Sequence, residues 1–135
     1  MKFAISTLVA VHLVASIWHG NAHSALGIDL STFQTLFVYV VILAAPIASA
    51  VIVWTRFALL GASLFALSMT GALVFGVYYH YVHVSPDNIA HLPAGPMAAQ
   101  VQFIQSAALI AIIELLSALV GCFAAGQTYT SASND

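Results

Sequence analysis

The chain has 135 residues, 62% of them apolar, with two basic and four acidic side chains and a formal net charge of −2. Soluble domains carry about a quarter of their residues as Asp, Glu, Lys or Arg, so a charged share of 4% and a mean hydropathy of +1.04 exclude an ordinary soluble enzyme. Lys2 and Arg56, the only cations, cannot form a basic surface for phosphates, which excludes a nucleic-acid partner, and the single Cys122 excludes an intrachain disulfide or a thiolate metal knuckle.

Crossing a hydrocarbon core of about 30 Å takes roughly 20 apolar residues in a helix. Four runs are candidates, at about 3–18, 32–54, 57–82 and 98–125. Each is apolar around its whole circumference, without the alternation of a barrel strand, so the expectation is an all-α membrane protein, 1–135 forming a single four-helix transmembrane domain. The first run, a Lys followed by about fifteen apolar residues, also fits a secretory signal peptide. Its cleavage candidates around Gly20 and Ala22 fit only loosely, and a retained helix is expected. Ser31 is placed to cap the second helix, and Pro46 should kink it and free a carbonyl. Only Thr55 and Arg56 interrupt the pattern before the third helix, which predicts a tight hairpin there. The other connections, 19–31 and 83–97, are longer and polar. Pro96 suits the first turn of the fourth helix and Gly126 its end, leaving Thr128 to Asp135 as a loosely ordered tail.

Both cations fall on one side of a four-span path, so the positive-inside rule predicts an up-down-up-down bundle with both termini cytoplasmic and the long loops outside. Trp18, Tyr78, Tyr79 and Tyr81 would mark the outer interface and Trp54 the inner one. The expected location is the cytoplasmic membrane of a prokaryotic cell, with the lipid bilayer as the first partner. Small-residue stretches such as Gly61-Ala62-Ser63 and Gly71-Ala72 would also suit a homo-oligomer or a larger membrane complex.

Five of six histidines gather at the predicted outer ends of helices one and three: His19, His23, His80, His83 and His91. Spacings of four (His19, His23) and three (His80, His83) bring side chains together on one helical face. His12 continues that face two turns inward. Helix one ends in Trp18-His19 with Asp29 in the following loop and helix three in Tyr79-His80 with Asp87, and Gln34, Gln100 and Gln102 open the helices that follow, a faint internal repeat. Each neutral imidazole offers one lone pair, so such pairs on neighbouring helices suit a transition metal. Nitrogen ligation without thiolates favours copper or iron, with zinc also compatible. Interfacial histidines that merely bridge apolar and wet zones are the plainer alternative. Haem b is another, with His19 and His80 as axial ligands, though it leaves three histidines without a role.

Glu114 is the only formally charged side chain expected at mid-span, where it needs a partner or a proton. His12, at similar depth, is the natural one, and a backbone carbonyl released by Pro46 is the other. His12 and Glu114 therefore join the candidate ligand set as an inner step for protons or a second ion. The readings that follow are an integral membrane metalloprotein in metal handling or redox chemistry, a b-type haem or pigment-binding electron-transfer protein, or a small accessory subunit of a membrane complex. No catalytic nucleophile or substrate motif is present in the sequence.

Overall fold

The computed structural model describes residues 1–132, and every regular element among them is helical. Four helices are long and apolar enough to cross a membrane: α1 (Lys2–Leu26), α2 (Thr32–Ile52), α3 (Ala58–Val82) and α4 (Met97–Ala132).

Helix α1 runs about two turns beyond the expected boundary near Trp18, so His19 and His23 lie on the helix rather than in a loop. Gly27 ends it at φ 62°, a left-handed conformation that glycine adopts without steric penalty. The Gly27 N–H reaches Ser24 C=O and the Ile28 N–H reaches His23 C=O, the paired bonds of a Schellman cap. The buried residues of α1 are Ile5, Val9, His12, Ala15, His19, Ala22 and Leu26. Their spacing of three and four makes one seam, which carries both His12 and His19 inward.

Ser31 and Gln34 form a capping box at the start of α2. A π-helical segment, Val38–Ala44, precedes Pro46 in α2. Proline has no N–H to give the carbonyl one turn back, and the Ala45 N–H instead reaches Val40, five residues earlier. A second π-helical turn, Tyr78–Val82, closes α3 and carries His80. Helix α4 continues past Gly126, which does not take a positive φ, through Ala132. The Thr128 and Thr130 hydroxyls donate to the Ala124 and Gly126 carbonyls along this extension. The tail expected to be loose is therefore helical to Ala132, and 133–135 lie outside the described residues.

Helix α4 packs most extensively against α3 and then α1, and α2 packs on α3. Close approach depends on small residues: a Cβ at Gly121 would lie 2.8 Å from Ala66 backbone atoms, and one at Gly61 2.7 Å from the Val53 nitrogen. Helix α1 meets α2 chiefly along Ala45–Ile52, which leaves the rest of α2 parted from it. Two apolar cores result. One centres on Phe65, Met69, Ile5 and Val53, the other on Phe103, Ala22 and Leu26. His12 and Glu114 occupy the layer of α1 and α4 between them.

Candidate metal centre

His19 and His23 on α1 and His80 on α3 each present one ligand atom, and these atoms all lie within 4.8 Å of one another. The cluster can hold a metal ion. His19 Nε2 and His23 Nε2 are 3.1 Å apart, close to the roughly 3.3 Å between two nitrogens of a tetrahedral site with bonds of about 2.0–2.1 Å. The Phe103 ring, fully buried, packs against all three imidazoles at centroid distances of 4.7, 5.0 and 5.4 Å. It forms an apolar floor that excludes water from one side of the cluster.

Hydrogen bonds select the tautomers. His80 Nδ1–H donates to the Asp87 backbone carbonyl at 3.0 Å. The Ser106 hydroxyl donates to the Gln102 carbonyl at 2.7 Å, so it accepts from His19 Nδ1–H at 2.8 Å. Both rings therefore keep a bare Nε2, the arrangement that outer partners impose on metal-ligating histidines. His23 Nδ1 is buried, and no well-formed hydrogen bond reaches it among the described residues. The 3.1 Å contact is a hydrogen bond that His23 Nε2–H donates to His19 Nε2, and a metal ion at the cluster would displace that proton to Nδ1 and leave His23 with the third bare Nε2.

Asp87, absent from the ligand set expected from sequence, joins the cluster. It is buried, with Oδ1 3.2 Å from His23 Nε2 and 3.3 Å from His80 Nδ1. Asn88 folds the loop inward to place it: Nδ2–H donates to the His83 carbonyl, Oδ1 accepts from Ala90 N–H, and Ile89 N–H reaches the His80 carbonyl. Ser106 and Phe103 on α4 were also not singled out, and nothing in their local sequence marks them.

The other expected ligands are placed elsewhere. His83 leaves the helix in extended backbone, and its exposed ring stacks on Tyr78 at 5.5 Å and 12°. His91 is exposed, with Nδ1 3.3 Å from Asn88 Oδ1. His12 and Glu114 form a separate buried pair, His12 Nε2 to Glu114 Oε1 at 3.2 Å, rather than Glu114 meeting a carbonyl near Pro46. Glu114 Oε2 has no partner among the described residues, and Glu114 borders a cavity of about 680 Å³ that also reaches His19, His23, His80 and Asp87. A Cβ on Gly76 would lie 3.7 Å from that oxygen and 3.9 Å from His80 Cδ2, so the glycine keeps the space between the pair and the cluster open.

Comparison with known protein families, characterised proteins and solved structures finds no match. Fold and site together define a chain of four membrane-length apolar helices with a three-histidine cluster able to bind a metal.

Proposed function

We propose that this chain is an integral membrane metalloprotein that binds one transition-metal ion through His19, His23 and His80, with Asp87 beside them, and serves metal handling or redox chemistry. The convergence of three imidazoles, two of them oriented by hydrogen bonds through Nδ1, carries this reading. An all-nitrogen set with one nearby carboxylate favours copper or iron over calcium or magnesium, with zinc also compatible. A bare ion is favoured over haem. Axial imidazoles must stand on opposite faces of a macrocycle, whereas the His19 and His80 rings meet edge to face at 4.8 Å.

In this reading the single four-helix unit is an up-down-up-down bundle with both termini cytoplasmic and the metal site near the opposite surface. Contacts at the other end of α1 support it. Lys2 Nζ lies 5.9 Å from the Trp54 ring centroid, and Trp54 Nε1–H donates to Ser6 Oγ, which brings the N-terminus beside the joint that holds Arg56. His19 lies 17 residues along α1 from Lys2, about 25 Å at 1.5 Å per residue.

Metal analysis of the purified protein together with its visible spectrum tests the proposal. One ion per chain without a Soret band is expected, with His19→Ala and His80→Ala each lowering bound metal about tenfold or more. A Soret band would select the haem reading. Absence of both, or full metal content in the two variants, would leave the histidines as packing residues of a membrane subunit.

A further inference from the structure

The cavity beside the histidines is a cleft between α1 and α2, where the two helices part above their contact along Ala45–Ile52. We propose that it binds a membrane-dissolved lipophile bearing a hydroxyl or carbonyl head, of the class of a quinol or a long-chain alcohol, which enters between α1 and α2. The inference extends the membrane reading above and does not require the metal.

A volume of about 680 Å³ suits a small-molecule site, which is typically apolar with a few convergent polar groups. Its α2 wall is Thr35 together with Val38, Tyr39, Ile42 and Leu43 of the π-helical segment, and His80 on the far side belongs to the other π-helical turn. Such departures from α-helical register recur at functional sites. Two buried oxygens of lining residues, Ser16 Oγ and Glu114 Oε2, have no partner among the described residues. Glu114 is 2% exposed and its other oxygen meets His12, so a ligand head in the cleft is the partner that Oε2 lacks. Gly76 leaves the approach to this oxygen clear.

Chemistry narrows the occupant. The apolar wall disfavours a hydrophilic solute, which would lose its hydration there. Glu114 and Asp87 on the lining disfavour an anionic head such as a fatty acid. A neutral oxygen head on an apolar body satisfies both constraints, and it occurs on ring-bearing quinols and on long-chain alkyl alcohols.

The experiment uses the full chain in lipid nanodiscs, with a decyl-substituted hydroquinone and hexadecanol as labelled probes in equilibrium dialysis. Saturable binding of one probe per chain is expected. Ile42→Trp, which fills the cleft from α2, a helix that supplies none of the three histidines, should weaken it about tenfold or more while leaving the circular dichroism spectrum and metal content unchanged. Gly76→Val, which crowds Glu114 Oε2 from α3, should also weaken probe binding about tenfold or more. Preference for the hydroquinone assigns the site to quinols, and preference for hexadecanol to long-chain alkyl alcohols. Failure of both probes to bind saturably, or wild-type binding in a folded Ile42→Trp protein, overturns the inference. A chain that binds a probe but no metal would overturn the metal reading alone, and one that binds metal but no probe would overturn the cleft alone.

Discussion

Ser106→Ala removes one oxygen from α4 and nothing from the metal's own ligands, so it isolates the orientation of His19. The Ser106 side chain is fully buried and accepts from His19 Nδ1–H at 2.8 Å, and His19 is 9% exposed. Loss of the acceptor leaves a buried donor without a partner, a penalty of about 1–3 kcal/mol. Deletion of a hydroxyl leaves little void, so packing loss contributes little. Removing an outer partner of a ligating histidine lowers metal affinity about 10- to 100-fold, which is about 1.4–2.7 kcal/mol, the same scale as the unpaired donor. Competition of the purified variant against a chromophoric chelator reads the affinity, and circular dichroism confirms the helices. His83→Ala is the control, because His83 is exposed and stacks on Tyr78 away from the cluster. Affinity within about twofold of wild type for Ser106→Ala, or an equal loss for His83→Ala, would refute the assignment of His19 Nδ1 as an orienting contact.

Asp87→Asn keeps the backbone carbonyl that orients His80 but removes the carboxylate charge beside two imidazoles, and should lower metal affinity about tenfold in the same chelator assay. Phe103→Ala empties the floor beneath the three rings and should cost about 3–5 kcal/mol of stability, whereas Phe103→Leu costs much less; thermal melts in detergent should separate the two. Gly121→Ala drives a Cβ to 2.8 Å from Ala66 backbone atoms, so α3 and α4 must part, and a loss of about 1–3 kcal/mol should appear as a lowered melting temperature. For topology, Cys122→Ala is made first; Ala90→Cys, exposed in the long loop, should then react with an impermeant thiol reagent outside intact cells, and Thr55→Cys should not. The reverse pattern would invert the orientation.

The four long helices were legible because apolar runs of membrane length leave few alternatives. The pairing of His12 with Glu114 followed from equal depth on two spans, since a mid-span carboxyl needs a partner. The end of α1 was misplaced because the apolar run gives way to polar residues after Trp18, whereas the residue that ends the helix in the left-handed conformation is Gly27, about two turns on. Gly126 misled in the opposite sense, as the chain there stays helical.

His80 and His83 share a face only while the helix stays regular, and a π-helical turn followed by extended backbone at His83 separates them. Asp87, Ser106 and Phe103 carried no local signal. Their roles arise from contacts between residues distant in sequence: a loop folded back by Asn88, and a turn of α4 that happens to face His19. The cleft likewise depends on where α2 stands relative to α1, which periodicity does not encode.

X-ray absorption at the metal edge of the loaded, purified protein tests the central claim most directly. The account predicts a nitrogen-dominated shell with the multiple-scattering signature of about three imidazoles, at about 2.0–2.1 Å if the ion is zinc, and loss of imidazole scattering when His19, His23 and His80 are replaced together. A shell of oxygens without imidazole scattering, or a spectrum unchanged by the triple replacement, would contradict it.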